Sequence, residues 1–306
     1  MRIAIIGRSQ ILYETALRLH EEEHEIACIL TAREAPEYTK TADDFQSLAE
    51  TWNIPFTKGA NVSKHATFLQ EAEADIAVSI NYTGLIPQTI IDRFPLGILN
   101  AHGGDLPRYR GNACQAWAIL NGEEKIGLCI HKMIGNELDS GDIIARDFIK
   151  IDHRTKITQV YQWFDERIPE MILKAVEHLD YNPSYILERQ SRDQEDALRC
   201  YPRRPNDGRI KWADQAIDIL RLINASSKPY AGAYCEFEGS KLVVWHAELL
   251  DDGENFCAIP GQVTAIGQGW IDIACGNGKL RLFEIELNGE KSSPDNQINS
   301  IRKRLT

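Results

Sequence analysis

The chain has 306 residues, 43% of them hydrophobic and 26% charged, with a formal net charge of −11. These are the proportions of an ordinary soluble globular protein, long enough for two domains. They exclude a bilayer-spanning chain, because no apolar run approaches the roughly 20 residues required. The acidic balance also speaks against a broad nucleic-acid surface, although a local basic patch would suffice to grip phosphates. The basic clusters present, Arg203–Arg204 and Arg302, Lys303 and Arg304, are short. The opening MRIAIIGRSQ reads as a buried strand and not a signal peptide, so a cytoplasmic location is expected. Seven scattered cysteines contain no C-x-x-C pair and the eight histidines lack ligand spacing, so neither a disulfide framework nor a metal site is expected.

In chain order, Arg2–Ile6 is a predicted strand, Gln10–Glu23 a helix and Glu25–Leu30 a strand. Ala42–Thr51 is helical, Ile54–Thr57 a short strand and Ser63–Glu71 helical. Ile76–Ile80 is a strand, Pro87–Arg93 a short helix, and Leu96–Ala101 closes the series. This alternation predicts an α/β doubly wound, mostly parallel sheet, with ligands bound beyond the carboxyl ends of its strands. The first strand is followed by Gly7, Arg8, Ser9 and Gln10 without a second or third glycine, so a dinucleotide fingerprint is missing. Ile143–Ile151 is a strand, Ile157–Leu179 a long amphipathic helix, and Arg189–Asp207 a polar linker. Ala213–Ala225 is helical. Short strands then follow at Ala233–Phe237, Lys241–Leu249, Gln262–Ile266, Trp270–Ala274 and Lys279–Ile285, punctuated by glycines, and they predict a small β-barrel. The domains are expected at 1–200 and 201–306.

The stretch that calls for chemistry is Asn100-Ala-His102-Gly-Gly-Asp-Leu-Pro107-Arg-Tyr-Arg-Gly111, followed by Leu138-Asp139-Ser-Gly141-Asp142. Asn100 and His102 lie two apart at a strand end, so they share a face of the sheet. An amide can hold the oxyanion of a tetrahedral intermediate, and an imidazole beside it can move the proton. A carboxylate is needed to orient and tune the ring; Asp139, on a loop before the next strand, is attractive, although any acidic residue could serve. Each piece alone also reads as structure: a strand-end histidine, a turn with capping carboxylates, an exposed basic loop.

Together they resemble the folate-dependent formyltransferases, whose motif reads Asn-x-His-x-Ser-Leu-Leu-Pro-x-Tyr-Arg-Gly, then Asn-Gly-Glu, then Asp-x-Gly. Asn100, His102, Pro107, Tyr109, Arg110, Gly111, Asn121, Gly122, Glu123, Asp139 and Gly141 fit it. Gly104 and Asp105 depart from the usual Ser and Leu, and Asn112 and Cys114 from the usual Arg and Pro. The resemblance extends to Ser79–Pro87, to Arg204–Trp212, and to landmarks at Pro229–Ala233 and Pro260–Val263. It implies a Rossmann-like catalytic fold with an OB-like barrel behind it. It also implies N10-formyltetrahydrofolate as co-substrate, with Asn100, His102 and Asp139 catalytic. Gly84, Leu85, Ile86, Ile134, Asp139 and Asp142 are the expected folate contacts.

Two acceptors suit this two-domain layout. One is the methionine on initiator tRNA; the other is a nucleotide-linked amino sugar of the UDP- or dTDP-4-amino-4,6-dideoxyhexose type, used for cell-surface glycans such as lipopolysaccharide O-antigen. The tRNA branch typically carries a Gly- and Lys/Arg-rich loop where this chain has Thr31–Glu50. Here Glu34, Glu37, Asp43, Asp44 and Glu50 outnumber Arg33 and Lys40. Without local cations a tRNA enzyme would lose much of its phosphate affinity. The expectation is therefore an amino sugar nucleotide, with small-molecule partners only and a homodimer left open. A hydrolase releasing formate from formyl-folate is the remaining alternative. In the C-terminal half, Tyr230, Tyr234, Phe237, Trp245 and Trp270 either pack the core or stack on a base.

Overall fold

A computed structural model describes residues 1–36, 38–191 and 193–306. Glu37, in the acidic stretch above, and Arg192, in the expected linker, lie outside the described residues. The chain forms two compact units: Met1–Cys114 with Gly127–Ile149 and Tyr161–Cys200, and Gln115–Ile126 with Lys150–Val160 and Tyr201–Thr306.

The elements of the first 200 residues are β1 (Arg2–Gly7), α1 (Gln10–Glu21), β2 (Glu25–Thr31), α2 (Ala42–Trp52), β3 (Phe56–Lys58), α3 (Ala66–Glu71), β4 (Ile76–Ile80), α4 (Gln88–Ile91), β5 (Ile98–His102), β6 (Tyr109–Gly111), α5 (Cys114–Leu120), β7 (Lys125–Lys132), β8 (Ile143–Lys150), α6 (Ile157–Tyr181) and β9 (Leu198–Cys200). A seven-stranded sheet runs β3-β2-β1-β4-β5-β7-β8. Its first five strands pair in parallel. Ala4, Ile6, Leu30, Ala77 and Ile98 join one buried cluster with Leu69, Ile90 and Ile91. The alternate residues Ile3, Ile5, Ile29, Ile76 and Val78 are equally buried, so both faces of the sheet are covered, as parallel sheets require. Helix α2 starts on a capping box in which Thr41 Oγ1 accepts from Asp44 N–H, and Asp44 accepts from Thr41 N–H at 2.7 Å.

Several features differ from the sequence reading, among them β6 and α5, which no predicted element covers. Strand β7 inserts antiparallel beside β5, so the series does not close at β5. Its KIGLCIHK is a nearly continuous buried run, which periodicity does not separate from a core helix segment. The expected linker is partly ordered: β9 pairs in parallel with β6, and Gln190 is buried. Strand β3 starts two residues later than Ile54, because Ile54 N–H closes the end of α2 on Ala49 O.

The second unit holds α7 (Ala216–Ala225), β10 (Ala233–Phe237), β11 (Ser240–Leu250), β12 (Val263–Gly267), β13 (Trp270–Ala274), β14 (Lys279–Leu287) and β15 (Glu290–Ser292). Its antiparallel sheet runs β10-β11-β14-β13-β12, with β15 on β14. Trp212, Ile219, Ile223, Leu242, Ile273 and Leu282 are buried together in its core. A closed barrel is expected from the sequence; among the described residues the end strands β10 and β12 do not pair with each other. The C-terminal segment instead reaches both ends: Glu236 exchanges backbone hydrogen bonds with Thr306, and Val263 N–H donates to Lys303 O at 3.2 Å. All seven cysteines are free, and only Cys257 is exposed. Among the described residues no helix is long and apolar enough to cross a membrane.

Candidate active site

The antiparallel register of β5 and β7 sets Asn100 opposite His131, and His102 opposite Cys129. Asn100 Nδ2 lies 3.0 Å from His131 Nε2. His102 Nε2 is 2.7 Å from the carbonyl oxygen of Tyr109; a carbonyl can only accept, so Nε2 carries the proton. The other ring nitrogen, Nδ1, is 3.5 Å from Asp139 Oδ2, and Asp139 Oδ1 is 3.6 Å from His131 Nε2. These two separations act through charge more than through close hydrogen bonds. The carboxylate is anchored by Gly111 N–H, which donates to Oδ2 at 3.0 Å, and its backbone sits in the left-handed region at φ 49°.

The electrostatics follow from burial and spacing. His102 is 7% exposed, and burial drives its imidazole toward the neutral form against the pull of Asp139. For Asp139, burial alone would favour the acid. The nearby imidazoles and the Gly111 N–H outweigh it and bring the carboxyl down to about 2.

Gly104, one of the departures from the motif, has a direct role in this geometry. A Cβ there would lie 2.5 Å from both His102 Nε2 and Tyr109 O, so the bare backbone is what lets that hydrogen bond form.

The expected folate contacts are arranged unevenly. Gly84 and Leu85 are exposed, Leu85 at 72%, whereas Ile86 is buried in the sheet core. Ile134 is half-buried, and its neighbour Gly135 N–H donates to Gln88 Oε1 at 2.8 Å, which brings that loop onto the segment following Leu85–Ile86. Asp142 is already engaged, accepting from Gln190 N–H at 3.1 Å. Sequence reasoning missed His131, the Tyr109 carbonyl and Gln190. A polar residue ending the apolar run Ile126–Ile130 was the available signal for His131, but its place opposite Asn100 depends on the register of a strand pair.

The family model for formyl transferase matches residues 1–176, and that for the formyl transferase C-terminal domain matches residues 203–302. This chain belongs to the formyl transferase family. Methionyl-tRNA formyltransferase of Acetivibrio thermocellus is 26% identical over 296 residues, covering 95% of this chain and 93% of that one. The N-formyltransferase of Helicobacter canadensis, solved with folinic acid and dTDP-3-aminofucose, superposes with a TM-score of 0.69 at 15% identity, over 92% of this chain and 98% of that one. HypX of Aquifex aeolicus in complex with tetrahydrofolic acid superposes with a TM-score of 0.65 at 18% identity; it aligns with 98% of this chain, which spans about half the length of HypX, 47%. At these identities the two structures speak for the fold.

In this formyltransferase the described residues between Thr31 and Glu50 hold two cations, Arg33, which is exposed, and Lys40. Lys40 Nζ lies 3.9 Å from Asp44 and 4.2 Å from the centre of the Tyr13 ring. In the second unit Phe237 and Trp245 are buried, Arg281 covers Trp270 at 3.6 Å, and Lys241 covers Tyr234 at 4.4 Å. Rings covered in this way favour packing over base stacking.

Proposed function

We propose that this formyltransferase carries the formyl group of N10-formyltetrahydrofolate to the amine of a nucleotide-linked amino sugar, of the UDP- or dTDP-4-amino-4,6-dideoxyhexose type. The observation that carries formyl transfer is the grouping of an amide donor, an imidazole and an anchored carboxylate at the end of β5. The neutral acceptor amine attacks the formyl carbon, and charge grows on the formyl oxygen. Asn100 Nδ2 has a second N–H to give that oxygen beyond the one facing His131. The amine loses a proton and the folate nitrogen gains one as the carbon–nitrogen bond to folate breaks. His102, on turning from the Tyr109 carbonyl, gives its Nε2 proton to the folate nitrogen and takes the proton of the amine in return, with Asp139 favouring the protonated ring. The exposed Gly84–Leu85 rim, with Ile134 on the neighbouring loop, suits a flat pterin read by backbone groups. Residues 1–200 serve as the catalytic domain and 201–306 as an accessory one.

The acidic stretch from Thr31 to Glu50 supports a sugar nucleotide over a nucleic acid. Formylation of initiator methionyl-tRNA is the second reading, favoured by the methionyl-tRNA formyltransferases that align over nearly the whole chain. Purified enzyme given formyl-folate with UDP- and dTDP-amino sugars in one reaction, and charged initiator tRNA in another, separates the two. A formamido sugar is expected. Formylated tRNA alone would replace this reading with the second, and formate release without any amine would indicate a hydrolase.

A further inference from the structure

We infer that His131 is a positioning residue that fixes which way the Asn100 amide faces; the inference rests on reading the end of β5 as the formyl-transfer centre. His131 Nδ1 lies 3.0 Å from the carbonyl oxygen of Lys132. A carbonyl cannot donate, so Nδ1 carries the proton, and in the neutral ring Nε2 is left with a lone pair. That lone pair faces Asn100 Nδ2 at 3.0 Å and accepts one of its N–H bonds. An amide has two ends of opposite character, and only its nitrogen end can satisfy this acceptor. The chain Lys132 C=O, His131 ring, Asn100 NH2 therefore has one direction. It keeps the amide nitrogen, with its remaining N–H, available as an oxyanion donor. Were the proton on Nε2, the amide would turn to present Oδ1, and an acceptor would be set against the growing negative charge.

The surroundings make this arrangement specific. His131 is 2% exposed, so water cannot replace the Asn100 contact cheaply. Gly141, the glycine of the Asp-x-Gly pair, packs so closely that a Cβ there would overlap the Lys132 carbonyl. The motif thus delivers two things at once: Asp139 beside both imidazoles, and room for the carbonyl that sets the His131 tautomer. The His102 and His131 rings stand nearly perpendicular, at 84° with centroids 6.3 Å apart. Asp139 stands beside both rings, 3.5 Å from His102 Nδ1 and 3.6 Å from His131 Nε2, and of the two only His131 also contacts the Asn100 amide.

The test combines a spectroscopic and a kinetic reading. In 15N-histidine-labelled full-length enzyme, nitrogen–proton correlation spectra are expected to show His131 protonated on Nδ1 and unprotonated on Nε2. One side-chain N–H of Asn100 is expected to carry a hydrogen-bond shift that His131→Leu removes. His131→Leu is expected to lower kcat roughly 10- to 100-fold, below the loss for a deleted oxyanion donor. Binding of 5-formyltetrahydrofolate by calorimetry should stay within about twofold, since the amide is aimed and not removed. His131→Gln, which keeps an acceptor for Asn100, should recover most of the lost kcat, and it remains informative if the Leu variant does not fold. A wild-type His131 protonated on Nε2, or a folded Leu variant with undiminished kcat, overturns the inference while formyl transfer by the wild type stands. If the wild type transfers no formyl group, the reading of the site fails, and the tautomer and amide signals still decide the positioning claim.

Discussion

Replacing Asp139 by Asn tests how the site is held together, because it keeps the shape and removes the charge. The carboxyl is 11% exposed as a side chain and sits between Gly111 N–H and two imidazoles. Its folded pKa of about 2 lies below the ordinary 3.8. Between those values the unfolded chain binds more protons than the folded one. The stabilisation is therefore fully present above about pH 5 and is lost as pH falls through the folded value. The gap corresponds to about 2 kcal/mol near neutrality, falling to about half of that near pH 3. Urea unfolding of wild type and Asp139→Asn at several pH values should show a stability difference of this size at pH 7 that shrinks on acidification. Turnover should fall roughly 100-fold or more, because the imidazole loses the group that favours its protonated form. A stability difference independent of pH from 7 to 3, or a variant with near-normal turnover, would refute the reasoning.

Four further outcomes follow from the same geometry. Asn100→Ala and His102→Ala should each remain folded and lose about 3 kcal/mol of transition-state stabilisation in single-turnover assays, as removal of one oxyanion donor does. Gly104→Ala forces a methyl against His102 Nε2 and Tyr109 O; turnover should drop by about 100-fold, as for a catalytic group misplaced by an ångström. His102, buried with its folded pKa below the ordinary 6.5, should cost the enzyme stability as pH falls from 6.5 to the lowered value. Chemical denaturation of His102→Gln should show less acid sensitivity in that window. Thr41→Ala removes the Oγ1 that accepts from Asp44 N–H and should cost about 1 kcal/mol in thermal unfolding with turnover unchanged.

The sequence shows the β-α alternation of the first hundred residues because its strands, the short β3 apart, are buried on both faces and its helices have a polar side. The bounds of β4, β10 and β13 coincide with their apolar runs. Strand β7 was illegible because its apolar run fits several elements and only pairing with β5 gives it meaning. The motif made Asn100, His102 and Asp139 readable as candidates. It could not reveal His131, which lies 31 residues from Asn100 and reaches it only through antiparallel register. Nor does a sequence show that Gly104 is small because two polar atoms meet where its side chain would be. Gly239 and Gly269 signalled turns between paired strands, but the contacts of residues 303–306 with β10 and β12 are long-range hydrogen bonds that no local pattern encodes.

A crystal structure of the enzyme with 5-formyltetrahydrofolate and an amino sugar nucleotide would test the account where it is most exposed. Asn100 Nδ2 is expected about 3 Å from the formyl oxygen, at hydrogen-bond distance. The acceptor nitrogen should lie on the same side of the sheet, within reach of His102. A formyl group seated away from the end of β5, with Asn100 and His102 touching neither ligand, would contradict it.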